Sequence, residues 1–176
     1  MYDNYFEKLP KAERFYVTST DVENEQPLKI AQLSGILGMG GANDTSPQLS
    51  WSGAPANTKS YAVTMYDMDA PTGSGFWHWA VVNIPANITE LVAGAGDDTG
   101  SGLPDGAIQL PNDARVPRYT GAAPAPGSGT HRYLIVVHAL DVENIGVAVD
   151  ATPAFLGMLM AGHVLGRAVL VATAKL

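Results

Sequence analysis

The stretch YAVTMYDMDAPTGSGFWHWAVVNIP, Tyr61 to Pro85, decides how this chain folds. It reads as two β-strands, Tyr61–Tyr66 and Phe76–Ile84, rich in β-branched and aromatic residues and joined by the loop Ala70–Gly75. Side chains alternate between the two faces of a strand, so Tyr61, Val63, Met65 and Asp67 share one face and Ala62, Thr64 and Tyr66 the other. On the second strand the same rule sets Phe76, His78, Ala80 and Val82 opposite Trp77, Trp79 and Val81. Asp67 and Asp69 stand at one lip of the loop, and His78 stands between two tryptophans at the other.

Outward from this hairpin, Thr130–Leu140 (THRYLIVVHAL) is the strongest strand, with His131, Tyr133, Ile135 and Val137 on one face and Arg132, Leu134, Val136 and His138 on the other. Shorter strands are expected at Phe15–Ser19, Leu28–Leu33, Ser46–Trp51 and Ala107–Leu110, with a weak helical turn at Thr89–Leu91. Thr152 as N-cap and Pro153 in the first turn begin the only good helix, Ala154–Gly166, and Arg167–Ala174 closes the chain as a strand. Residues 1–14 are polar and mixed, an arm lying over the body. Many short strands with one late helix predict a mainly β protein, an antiparallel β-sandwich with Greek-key connections and a C-terminal helix. A length of 176 residues fits one domain, 1–176, and the 19 glycines and 12 prolines fall between apolar runs, as in a loop-rich β protein.

Ten basic against seventeen acidic residues give a formal charge of −7, with no basic patch to follow a phosphate backbone, which excludes nucleic acid as a partner. Any anion must be captured locally by a few placed groups. The absence of cysteine removes disulfides, thiolate catalysis and zinc–thiolate sites. No apolar run has the length of a signal-peptide core or a membrane span, so integral membrane association is not expected and the chain reads as cytoplasmic.

Asp67, His78, His131 and Tyr133 form one candidate constellation. Two imidazoles and a phenol can donate to phosphate oxygens, and a carboxylate beside a histidine holds its tautomer and raises its pKa. Asp67 itself repels an anion, so it must face a donor and not the ligand. His78 is equally readable as a core histidine satisfied by a backbone carbonyl. Asp69, Arg132, Trp77 and Trp79 read as structural, with Asp69 paired to Arg132. His138 lies on the face opposite His131, and His163 on the apolar side of the late helix beside Leu156, Leu159 and Met160.

Ser74 and Ser128 lie near the two histidines, yet neither sits in a G-x-S-x-G turn. Asp67, His78 and His131 are of metal-ligand type without a short-spaced pair, and nothing calls for a cofactor. Gly38–Asp44 (GMGGAND) resembles a phosphate loop in composition only and reads as a plain turn.

Three ordered motifs, D-M-D-A-P (Asp67–Pro71), W-H-W-A-V-V-N-I-P (Trp77–Pro85) and G-T-H-R-Y (Gly129–Tyr133), together with S-P-Q-L-S-W (Ser46–Trp51), resemble the phosphatidylethanolamine-binding protein family and its bacterial Raf-kinase-inhibitor-like branch. The resemblance implies a β-sandwich with a small anion pocket and carries ligand binding onto Asp67, His78, His131 and Tyr133, walled by the loop before His131. It departs from the family in Met68, where proline is usual between the aspartates, in Pro124-Ala125-Pro126, where prolines are usually adjacent, and in Ala123, where bacterial members commonly have cysteine.

What the resemblance implies is a non-enzymatic protein binding a phosphate or carboxylate group of a phospholipid headgroup, nucleotide or phosphorylated partner. It further implies a possible modulator of a kinase or protease, and a homodimer. The alternative from another class is a hydrolase using an Asp67/His78 acid–base pair, with or without a metal.

Overall fold

The computed structural model describes residues 3–176. In chain order the elements are α1 (Asp3–Phe6), β1 (Glu13–Arg14), β2 (Tyr16–Thr18), β3 (Gln26–Pro27), β4 (Leu49–Ser52), β5 (Ser60–Asp67), β6 (Phe76–Pro85), β7 (Glu90–Leu91), β8 (Ile108–Gln109), β9 (His131–Leu140), α2 (Pro153–Met160) and β10 (Val164–Ala174). The large sheet runs β1-β10-β9-β5-β6-β8, with β3 also on β10, and the small sheet runs β2-β4-β7. Pairing is antiparallel except where β1 and β3 join β10 in parallel. The two sheets form a β-sandwich, as expected. Tyr61, Val63, Met65, Ile135 and Val137 of the large sheet meet Leu49, Trp51 and Leu91 of the small one in the main core.

The opposite face of the large sheet is also covered. Leu156 and Met160 of α2 pack on Ala62, Ala80, Val82 and Leu140, and Tyr5 and Phe6 of α1 pack on Leu134, Val136 and Val171. Burial on both faces explains why β5 and β9 read as continuous apolar runs. The expected N-terminal arm does lie over the body from Asp3 onward; Met1 and Tyr2 are outside the described residues.

Three local expectations give way to tertiary pairing. The predicted strand Leu28–Leu33 is instead β3 followed by a 3₁₀ turn, Ile30–Gln32, because β10 ends at Ala174, one residue past the Thr173↔Pro27 pair, and offers no further partner. The predicted helical turn at Thr89–Leu91 is strand β7, which buries Leu91 against Leu49. The late helix stops at Met160, not Gly166, because Val164 pairs with Leu140 and begins β10. His163 therefore lies in a turn, not on a helix, with Nδ1 2.8 Å from Asp141 Oδ1.

Two bulges in β6 break the alternation read from sequence. Met65 faces Trp79 while Tyr66 faces Trp77, so His78 is an extra residue with no opposite number. A second extra residue falls between Val81 and Ile84, where Asn83 adopts φ 59°, a conformation asparagine tolerates. Phe76 and His78 consequently leave the face of Ala80 and Val82. Trp77 and Trp79 are likewise separated, Trp79 in the main core and Trp77 against Tyr66 on the other side, with ring centroids 4.5 Å apart.

His138 is buried on the outer face, with Nε2 3.0 Å from Thr64 Oγ1. Burial, with the Arg167 charge adding to it, pushes its pKa down to about 3. The unfolded chain takes up that proton near pH 6.5 while the folded chain does not, so this contribution to stability is present above about pH 6.5 and is lost as pH falls toward 3. Over that window His138 steepens acid destabilisation by up to roughly 1.4 kcal/mol per pH unit. Urea unfolding at several pH values checks this. The pH slope should flatten in His138→Gln, and an unchanged slope counts against it.

Candidate functional site

The bulge at His78 does more than interrupt a ladder. It turns that side chain toward the main-core face, where Asp67 and Tyr133 lie directly opposite each other across β5 and β9. His131 opens β9 on the same face, two residues before Tyr133. Four residues predicted from sequence are thus gathered at one end of the sandwich, with Asp67 3%, His78 3%, His131 2% and Tyr133 0% exposed. Tyr133 stands between the histidines, its ring centroid 5.3 Å from that of His78 and 6.5 Å from that of His131.

Asp67 takes its hydrogen bonds from within the protein. Its Oδ2 accepts from His131 Nδ1–H at 2.7 Å, and its Oδ1 accepts from the Asp69 amide at 2.9 Å. The carboxylate's hydrogen-bonding partner is therefore His131 and not His78. No direct Asp67–His78 hydrogen bond exists among the described residues, so the acid–base pair on which the hydrolase alternative rests is not formed in this arrangement.

The His78 ring Nδ1 donates to the Thr120 carbonyl at 2.8 Å. Burial is the largest influence on its pKa and lowers it, outweighing the Thr120 bond and the Asp67 charge that act to raise it. Near neutral pH the ring is uncharged, its Nε2 an acceptor. Sequence reading expected a raised pKa for a histidine partnered by Asp67; His78 is not so partnered, and desolvation of its enclosed imidazole wins.

The Tyr133 hydroxyl is buried and has no hydrogen-bond partner among the described residues. Its pKa is pushed up strongly, by burial first and then by the Asp67 charge and a close approach to the Asp67 carboxylate that falls short of a well-formed hydrogen bond, so the phenol keeps its proton and remains a donor. Asp69 and Arg132 form the bracket beside the cluster: Arg132 Nε and Nη2 donate to Asp69 at 2.7 and 2.6 Å, and its amide donates at 2.8 Å. This bidentate pair ties the loop after β5 to the start of β9.

Supporting residues come from loops, chiefly the long one before His131 that the resemblance makes a wall of the pocket. Thr120 N–H donates to the His78 carbonyl, and Asn112 Nδ2 reaches the His78 carbonyl at 3.2 Å and Thr120 Oγ1 at 2.8 Å. Asp44, assigned to a plain turn, is buried and accepts from Ser34 Oγ, the Ile36 amide and the Gly121 amide at 2.7, 3.0 and 2.8 Å. Those bonds hold its pKa below the ordinary carboxylate value in spite of desolvation. Ser128, from the loop before β9, sits 2.8 Å from His131 Nε2.

None of the four clustered residues lines any of three cavities of about 670, 530 and 580 Å³, which lie beneath the N-terminal arm, beside Phe76 and Arg115, and near Lys59. Among the described residues no three His, Asp or Glu side chains are arranged to hold a metal. No helix is long and apolar enough to cross a membrane.

With this geometry in place, comparison with known proteins is specific. A family model described as phosphatidylethanolamine-binding protein matches residues 18–175. YbhB of Escherichia coli is 48% identical over 150 residues, 85% of this chain and 93% of its own length. YbcL of the same organism is 45% identical over 150 residues, 85% of this chain and 81% of its own length. The crystal structure of YbcL, described as a new member of the mammalian PEBP family, superposes with a TM-score of 0.89 at 40% identity, covering 93% of this chain and 99% of that one.

Proposed function

The chain belongs to the phosphatidylethanolamine-binding protein family, and on that premise we propose that it is a binding protein whose Asp67, His78, His131 and Tyr133 cluster captures a phosphate group. The group would be carried on a phospholipid headgroup, a nucleotide or a phosphorylated partner. Modulation of a kinase or protease belongs to the last case.

The observation that carries this reading is the Tyr133 hydroxyl, a buried donor with no hydrogen-bond partner among the described residues, beside a histidine whose second ring nitrogen is an acceptor. A charged oxygen satisfies the phenol, while a hydroxyl on the same anion satisfies His78 Nε2. Inorganic phosphate supplies both near pH 7, and a monoester supplies both in its singly ionised form, whereas a phosphodiester headgroup, like sulfate, supplies only acceptors and is the poorer match among these carriers. Sulfate, fully ionised, supplies only acceptors and sets a lone pair against Nε2.

Calorimetric titration separates these ligands. Inorganic phosphate and phosphoethanolamine are expected to bind one per chain near pH 7, and sulfate at least about tenfold more weakly, the equivalent of one mispaired hydrogen bond. Equal binding of sulfate and phosphate sinks the neutral-His78 mechanism. Absence of any phosphate heat sinks the reading itself.

A further inference from the structure

The loop before β9 brings a third functional side chain onto His131 that the binding reading leaves unused. Ser128 Oγ lies 2.8 Å from His131 Nε2, and His131 Nδ1 lies 2.7 Å from Asp67 Oδ2. Hydroxyl, imidazole and carboxylate therefore follow one another in a single line of hydrogen bonds. The serine is exposed, whereas the histidine and aspartate beneath it are buried.

Local geometry sets up this contact. Ser128 is flanked by Gly127 and Gly129, at φ 77° and 89°, and its amide donates to the Ala125 carbonyl at 3.0 Å. The resulting turn folds the hydroxyl back over the imidazole three residues ahead. Because Nδ1 faces a carboxylate, it carries a proton, and in the neutral ring Nε2 presents its lone pair to Ser128. The serine proton has one competing acceptor, the Ala125 carbonyl at 2.6 Å.

We propose that Ser128 is an acyl-accepting nucleophile, with His131 as its general base and Asp67 fixing the His131 tautomer, and that its acyl donor is a small carboxylic ester. The Ser128 oxygen forms a bond to the ester carbonyl carbon as its proton passes to Nε2. Collapse of the adduct breaks the carbon–oxygen bond to the alcohol, which leaves with that proton. Water, deprotonated by the same nitrogen, then releases the carboxylic acid and restores the serine. Nucleophile, base and orienting carboxylate define such a site by geometry, without a fixed sequence motif. The proposal goes beyond anion binding and does not depend on it.

The test is acetylation by p-nitrophenyl acetate, read as nitrophenolate release and by peptide mass mapping, with Ser74, another exposed loop serine, as internal standard. Expected is one acetyl group per chain on Ser128, gained about 10²-fold or more faster than on Ser74, lost in Ser128→Ala and slowed about 10²–10⁴-fold in His131→Gln. Labelling of Ser128 no faster than Ser74, or undiminished in a folded His131→Gln, overturns the proposal. Should His131→Gln fail to fold, the wild-type ratio of the two serines decides alone. Phosphate titration of Ser128→Ala is read separately: a pocket that binds phosphate without the hydroxyl leaves the binding reading standing whichever way acetylation falls.

Discussion

Asp67→Ala is expected to lower the unfolding free energy by about 3–5 kcal/mol. The side chain is buried, and its two oxygens accept from the His131 ring and from the Asp69 amide. Truncation leaves the enclosed Nδ1–H with nothing to replace its acceptor and releases the turn that positions Asp69 for Arg132. Asp67→Asn keeps one carbonyl oxygen and should cost less than Asp67→Ala. Urea unfolding of the two variants measures the difference. A loss below about 1 kcal/mol for alanine would mean that the carboxylate is not a structural partner of His131.

Gly121→Ala is the second large effect, a loss of about 3 kcal/mol or more, the upper end of overpacking costs. A Cβ at this position would sit 2.3 Å from the Leu33 carbonyl carbon and 2.6 Å from the Gln32 carbonyl oxygen, both backbone atoms that cannot rotate aside. Relief requires residues 120–122 to separate from residues 32–34. That separation breaks the Gly121 amide bond to Asp44 and the parallel bridge of Leu33 with Ala122. Thr120, whose carbonyl orients His78, moves with them. Thermal unfolding together with phosphate titration tests both parts, since stability and affinity should fall in the same variant. Retention of stability within about 1 kcal/mol would show that the loop gives way more easily than these contacts imply.

How much of this was legible in sequence follows from the range of the forces involved. β5 and β9 could be read because their apolar, β-branched runs are buried on both sides, and alternation then placed Asp67, His131 and Tyr133 on one face. Alternation failed at His78, because a bulge is a backbone event set by partners on neighbouring segments. Here Trp77 and His78 bond to the loop of residues 112–120, which sequence shows only as a proline- and glycine-rich stretch. Asp44 and Asn112 escaped notice for a related reason: each combines bonds within its own loop with one to a distant segment, Asp44 to the Gly121 amide and Asn112 to the His78 carbonyl. The serine three residues before His131 was visible, but not the turn that seats its hydroxyl on the ring. Helix α2 was found by its cap and lost at its end, where pairing of Val164 with Leu140 outweighs continued helix.

The most direct test of the central claim is phosphate titration of wild type against Tyr133→Phe, a change that removes one oxygen without a hydrogen-bond partner among the described residues. If the phenol awaits an anion, the variant should be as stable as wild type or slightly more so, yet bind phosphate about tenfold or more weakly, the loss of a hydrogen bond to a charged group. Phosphate affinity that is identical in the two proteins would contradict the account.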